Sequence, residues 1–213
     1  MTPALAASLP APLWVLGTDT GVGKTRVCAA LARRWAAEGP VTYRKPFQTG
    51  VEDAGDPGAD ARAVAGPGIH VETGLVLRAP LSPLAAAEAE GRVLDLEALA
   101  AWALRPAEGR LLLEGVGGVM VPLSPGSHFA GWASGFGVPA VVVARGGLGT
   151  LNHTLLTCEA LMLRGWRIAA VLLNPGVDAS AGAAPANAAI LSRLLPLPVH
   201  VLQELPDHGL SPA

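Results

Sequence analysis

The chain has 213 residues, a formal net charge of −2 and a charged fraction of only 15%. That balance gives no basic footprint for nucleic acid, and no apolar run reaches the roughly 18 residues of a membrane-spanning helix. The two cysteines, Cys28 and Cys158, sit in no metal-ligand spacing and suggest no disulfide framework, so a reducing, cytoplasmic compartment is the simplest reading.

Residues 1–12 are apolar and proline-containing but lack the basic start of a secretory signal, and read as a flexible tail. Residues 13–213 show no repeat, low-complexity tract or domain boundary and read as a single α/β domain. Leu13 to Leu16 is a short apolar strand. Gly17-Thr-Asp-Thr-Gly-Val-Gly-Lys-Thr25 follows it, and a helix runs from Arg26 to Trp35. Strand, glycine-rich loop and helix make this a phosphate-binding loop. Glycines let backbone N–H groups close on an anion, and the helix N-terminus adds partial positive charge. Lys24 reaches the terminal phosphates and the Thr25 hydroxyl suits Mg²⁺. The usual first glycine is replaced by Thr18, with Gly17 one place earlier.

Val41 to Arg44 is a second strand, with Pro46 expected to stop it and Gly50 to open a turn. Lys45 and Thr49 leave this strand end beside the loop. Asp60 falls in the first turn of a short helix beginning near Gly58. An acid there is an ordinary cap, and the residues alone favour that over a carboxylate aimed at a metal. Gly66 to Pro83 reads as irregular, with a short strand at Leu75 to Leu77. Helices are expected at 84–90 and 95–104, the second capped by Asp95. Arg110 to Leu113 is a buried strand ending in Glu114-Gly-Val-Gly-Gly118. A carboxylate at the end of an apolar strand downstream of a P-loop is the Walker B pattern, whose task is to hold Mg²⁺.

A helix follows at 129–136 and a strand at 139–143. Thr150-Leu-Asn152 opens a long helix to about Arg164, whose free N–H groups suit a carboxylate, against the alternative of a plain Thr cap. Arg167 to Leu173 is a further strand, and Asn174 at its end is either a nucleobase contact or a turn residue. A small-residue linker spans 179–184, a helix 185–194 and a last strand 198–202. The strands are continuous apolar runs rather than alternating ones. That pattern predicts a three-layer α/β fold of the P-loop NTPase type, with a mostly parallel central sheet and helices on both faces.

The P-loop, Lys45-Pro-Phe-Gln-Thr-Gly50, Asp60 within Gly-Ala-Asp-Ala, Glu114-Gly-Val-Gly-Gly118 and Leu148-Gly-Thr-Leu-Asn-His153 occur in the order seen in dethiobiotin synthetases. The chain resembles that family from about Trp14 to about Pro206. The resemblance implies a homodimeric enzyme that closes a cyclic urea on 7,8-diaminopelargonic acid with CO2 and Mg-ATP. Lys24, Lys45 and Thr20 would be catalytic. Asp19, Thr20, Gly21, Val22, Gly23, Lys24, Thr25, Arg26 and Asn174 would bind ATP. Thr25, Asp60 and Glu114 would hold Mg²⁺, which gives Asp60 the metal role. Thr49, Gly117, Gly118, Thr150, Leu151 and Asn152 would bind the substrate, the last three from a neighbouring subunit. Family members often carry Asn-Asp where this chain has Asn174-Pro175, so nucleotide preference is not fixed by the resemblance.

Two other classes compete. An amidoligase of the cobyrinic or cobyric acid type normally carries a glutamine amidotransferase domain with a reactive cysteine, which this sequence does not provide. A ParA/MinD-like ATPase switch carries a signature lysine where this chain has Asp19, and uses a basic or membrane-binding surface that is missing here.

Overall fold

The computed structural model describes residues 1–53, 55–177 and 181–203. Seven strands form one sheet: β1 (Leu13–Gly17), β2 (Val41–Gln48), β3 (Ile69–Val76), β4 (Arg110–Glu114), β7 (Ala140–Arg145), β8 (Ile168–Asn174) and β9 (Val199–Val201). Their order is β3-β2-β4-β1-β7-β8-β9, and every adjacent pair is parallel. A separate small antiparallel pair joins β5 (Pro122–Ser124) and β6 (Ser127–His128). Among the described residues, eight α-helices lie between and before the strands: α1 (Pro3–Ser8), α2 (Lys24–Ala36), α3 (Gly58–Val64), α4 (Pro83–Ala89), α5 (Leu96–Leu104), α6 (Phe129–Ser134), α7 (Thr150–Met162) and α8 (Ala184–Leu194).

The unbroken apolar runs serve both faces of the sheet, because successive strand residues point to opposite sides. Leu13, Val15, Leu112, Val141 and Leu172 pack with Val27, Cys28, Leu31 and Trp35 of α2. Their neighbours Trp14, Leu16, Leu113, Val142 and Leu173 pack with Ala130 of α6, Cys158 and Leu161 of α7 and Leu191 of α8. This is the expected three-layer, parallel arrangement.

Three expectations need correction. The N-terminal segment is not a frayed tail. Thr2 caps α1, Ala6 and Leu9 are buried, and the Trp35 indole N–H donates to the Ala6 carbonyl at 3.1 Å. Pro46 does not stop β2, which continues to Gln48. Its neighbour across the β3 edge is Gly74, where a Cβ would come within 2.7 Å of the Pro46 carbonyl and 2.8 Å of Leu99. The alternation slips there: Tyr43 belongs to the α2 side, whereas Phe47 packs on the opposite side against Trp132. Finally, β3 is eight residues long rather than a short piece at 75–77. It is a half-exposed edge strand, so Glu72, Thr73 and Gly74 broke the apolar signal. The linker at 179–184 falls partly outside the described residues. Of its described residues, Ala181–Ala183 form a single 3-10 turn and Ala184 already begins α8. The segment from Glu204 onward lies outside them.

Arg44 ties β2 to the end of α5. Its guanidinium is buried, donates to the carbonyls of Ala103, Arg105 and Pro106, and pairs with Glu72 at 2.6 Å. Ala103 is one of the orphan carbonyls that a helix C-terminus leaves behind, and Arg105 and Pro106 follow directly at its end. Arg44→Met is therefore expected to cost about 3 kcal/mol of stability. The check is a lowered urea midpoint with an unchanged m-value.

Candidate active site

In a parallel sheet, ligands gather at the carboxyl ends of the strands. Three adjacent strands end here with chemistry. β1 runs into the glycine-rich loop, β4 ends on Glu114 and β2 carries Lys45. The pairings Val15↔Glu114 and Arg44↔Leu113 bring Lys45 level with Glu114, beside the first turn of α2.

The loop closes through Gly21 (φ 71°) and Gly23 (φ 95°), both in the left-handed region that favours glycine. At Gly23 a Cβ would also overlap the Asn174 side chain. The Lys24 stem packs over Gly17, where a Cβ would lie 3.0 Å from its Cδ and Nζ. The glycine one place earlier than usual therefore has a steric reason. Lys24 Nζ donates to the carbonyls of Asp19 at 2.9 Å and Gly117 at 3.0 Å.

Behind the loop lies a buried polar cluster. Thr25 Oγ1 is 2.8 Å from Asp60 Oδ1 and 2.8 Å from Glu114 Oε1, so its one proton serves either carboxylate. Lys45 Nζ donates to Asp60 Oδ2, and to Glu114 Oε1 at 3.0 Å. The Tyr43 hydroxyl donates to Glu114 Oε2 at 2.8 Å. Asp60 makes no capping bond to its own helix. The local preference for a cap is overridden because α3 packs along α2 and turns that carboxylate toward Thr25 and Lys45.

Burial lowers the Lys24 ammonium to about 8, with Lys45 acting in the same sense and Glu114 and Asp60 opposing. Burial also works to lower Lys45, but the carboxylates of Glu114 and Asp60 outweigh it and raise that ammonium above its ordinary value. Burial works to raise Asp60, but Lys45 outweighs it, and the carboxyl is held below its usual range. Lys45 is thus a fixed cation, whereas Lys24 is close to titrating.

Lys24, Thr25, Lys45, Asp60 and Glu114 therefore come together, and the Glu114–Gly118 loop joins them. A Cβ on Gly117 would lie 3.4 Å from Thr20 Oγ1, and one on Gly118 would lie 3.1 Å from the Thr18 carbonyl. Asp19, Thr20 and Gly21 are exposed along the loop. Val22 is buried beneath it, and Arg26 reaches the Gly176 carbonyl at 3.5 Å. Thr49 is half-buried just beyond β2. Asn174 is buried, and its amide is engaged inside the protein. Its Nδ2 donates to the Val22 carbonyl at 3.1 Å and its Oδ1 accepts from Gly176 N–H at 3.1 Å. This makes it a brace beneath the P-loop. The Thr150 hydroxyl faces Thr154 within α7 rather than the cluster, and Gly149 rather than Thr150 is the cap residue. Leu151 packs partly into the core, and Asn152 is exposed.

Sequence reasoning missed three neighbours. Tyr43 is two residues before Lys45 on one strand face, a spacing that could have revealed it. Cys28, one turn into α2, lies against Glu114, and burial followed by that carboxylate pushes its thiol well up. Arg145 at the end of β7 pairs with Asp19 at 3.3 Å.

A β-strand, a glycine-rich loop closed by left-handed glycines, a lysine over it and a Thr–carboxylate cluster behind it define a P-loop nucleotide-binding α/β protein. Comparisons narrow the class. A family described as an AAA domain matches residues 12–209. The chain is 43% identical over 189 residues to an ATP-dependent dethiobiotin synthetase of Anaeromyxobacter dehalogenans, covering 85% of this chain and 84% of that protein. It is 45% identical over 152 residues to the enzyme of that name from Novosphingobium aromaticivorans, covering 71% and 70%. Among solved structures, chloroplast FtsY from Physcomitrella patens superposes with a TM-score of 0.56 at 18% identity, over 92% of this chain and 60% of that one, a likeness of fold alone. The chain belongs to the AAA-domain family and, within it, to the ATP-dependent dethiobiotin synthetases.

Because free Lys24 titrates at about 8, metal-free nucleotide binding carries a pH signature. The protonated lysine binds phosphate, so ADP affinity in EDTA is expected to be flat at lower pH. It should then fall as pH rises through about 8, toward tenfold per unit, with proton uptake on binding. Calorimetry in buffers of different ionisation heat measures both. A flat affinity across that range with no proton uptake would show that Lys24 does not titrate there.

Proposed function

We propose that this protein is an ATP-dependent cyclo-ligase that makes dethiobiotin in biotin biosynthesis, from 7,8-diaminopelargonic acid, CO2 and ATP. The observation that carries the reading is the second buried lysine. Lys45 is held by Asp60 and Glu114 behind a complete P-loop. Plain nucleotide binding does not call for it, whereas joining two anions does. The identity to curated dethiobiotin synthetases over most of the chain supports the same reading.

One amine of the substrate adds to CO2 and loses a proton, giving a carbamate. The carbamate oxygen attacks the γ-phosphorus, the bond to the β-phosphate oxygen breaks, and ADP leaves. The second amine then attacks the carbamoyl carbon of the mixed anhydride, phosphate leaves, and the ureido ring closes. The carbamate needs no general base as nucleophile, so positioning and charge supply the rate. Lys24 moves from the Asp19 and Gly117 carbonyls to the phosphates. Lys45 supplies fixed positive charge where the two anions meet. Thr20 and Thr49 bind the carbamate end, and Gly117 and Gly118 let the substrate approach the backbone.

The donor set also fits Mg²⁺. A hydroxyl and two carboxylates converge within 2.8 Å contacts, all hard oxygen ligands, with a lysine ammonium already lying among them as a cation. Thr25, Asp60 and Glu114 would hold the ion, which when bound neutralises phosphate charge. Asp19, Gly21, Val22, Gly23 and Arg26 line the nucleotide path. Asn174 acts there chiefly through its brace on Val22.

The substrate's carboxylate end is read as reaching the start of α7 on a second copy, at Thr150 to Asn152, which makes the working unit a homodimer. Gly149 ahead of the helix and Asn152 in its first turn are exposed, though Thr150 is buried, and free N–H groups at a helix start suit an anion. No described helix is long and apolar enough to cross a membrane. A cytoplasmic enzyme is consistent with that and with two buried, reduced cysteines.

An end-point assay tests the reaction, with dethiobiotin detected by mass. Product is expected only when Mg-ATP, bicarbonate and 7,8-diaminopelargonic acid are all present. Phosphate release without product would instead favour an ATPase switch or a different acceptor. Lys45→Met is expected to lower kcat by about 10²–10³-fold while ADP binding is largely kept. Unchanged turnover would remove Lys45 from the chemistry.

A further inference from the structure

Tyr43 is the only tyrosine in the chain. It lies on β2, fully buried in the apolar layer between the sheet and α2. A phenylalanine of the same shape would fill this place without burying a hydroxyl, which is costly unless it is hydrogen-bonded. Its bond is to Glu114 Oε2, at 2.8 Å. The other oxygen of that carboxylate, Oε1, lies 2.8 Å from Thr25 Oγ1 and 3.0 Å from Lys45 Nζ. The carboxylate is therefore divided. One oxygen is gripped from behind by the core, and the other faces the phosphate side.

The last torsion of a glutamate is broad, so nothing in the side chain itself chooses whether one oxygen or both face the site. A donor fixed in the core does choose. We propose that Tyr43 is a positioning residue, which by holding Oε2 presents Oε1 alone, as a one-oxygen ligand, to the divalent cation that accompanies the nucleotide. The proposal rests on the reading of Glu114 as a metal ligand. Partners behind a ligand typically change metal affinity by about 10–100-fold when removed.

The test is manganese(II) binding to the full chain with saturating ADP, followed by the electron paramagnetic resonance signal of free manganese. Tyr43→Phe is expected to raise the manganese dissociation constant by about tenfold or more. ADP affinity in EDTA should stay unchanged, and turnover should recover as Mg²⁺ is increased. A merely structural hydroxyl would alter none of these. If wild type binds manganese and Tyr43→Phe binds it equally well, the proposal is overturned and the metal reading stands. If wild type with ADP binds no manganese, the metal reading fails and the proposal falls with it.

Should the variant not fold, 3-fluorotyrosine incorporated into the otherwise wild-type chain gives one fluorine resonance, from this residue alone. It is expected to shift with Mg²⁺ and ADP together and to stay in place with ADP in EDTA. An unmoved resonance on Mg²⁺ addition would overturn the proposal.

Discussion

The structure depends on burying opposite charges together at the end of one sheet face. Glu114 and Lys45 are almost wholly withdrawn from water, and Lys24 nearly so. Such groups are tolerated only when each has its partner, because an uncompensated buried charge costs several kcal/mol. The topology supplies the partners. In the order β2-β4-β1, neighbouring strands deliver Lys45, Glu114 and the P-loop side by side, and the register aligns them. The same face that packs apolar against α2 lower down, through Leu13, Val15 and Leu112, becomes ionic where α2 begins. Asp60 comes from a separate helix, and α3 packs along α2 to bring it in.

A phosphate-binding loop must keep its shape without a ligand, and here it is braced at two points. Asn174, at the end of β8, holds the Val22 carbonyl from below and fills the space beside Gly23 that a side chain would need. Arg145, at the end of β7, pairs with Asp19 on the exposed arm of the loop. Asp19 in turn accepts from the Thr20 backbone N–H at 2.7 Å. The strands on one side of β1 thus carry the loop's supports, and those on the other side carry its charges.

Much of this was legible in the sequence because glycine, lysine and acid positions are forced by local geometry. The P-loop, the Glu114 strand end and the parallel sheet follow from residue type and spacing. Asp60 did not, since a helix-start acid has the same local appearance whether it caps its helix or faces a neighbour. Tyr43 and Arg145 were missed for a related reason: their partners lie on another strand and on the P-loop, and only the folded sheet brings the pairs together. The extent of β2 and β3 was hidden by Pro46 and Gly74, each a strand breaker alone. They face each other, so the crowding around Pro46 is met by the missing side chain of Gly74. Helix α1 was hidden because its anchor, the Trp35 indole, is far along the chain.

The position of Lys24 links the two halves of the site. Its ammonium has three donors, and two are held by the carbonyls of Asp19 and Gly117. The first belongs to the loop that takes the nucleotide. The second belongs to the glycine segment after Glu114, against which Thr20 packs. Lys24 thus ties the P-loop to the glycine segment after Glu114. Gly117 itself sits in the left-handed region, at φ 52°. The same contacts bear on the lysine's charge. Neutral carbonyls hold an ammonium less firmly than carboxylates do, so burial dominates and Lys24 titrates at about 8, while Lys45 between two carboxylates stays fully charged. The site thus pairs a lysine held by neutral carbonyls with one fixed between two carboxylates.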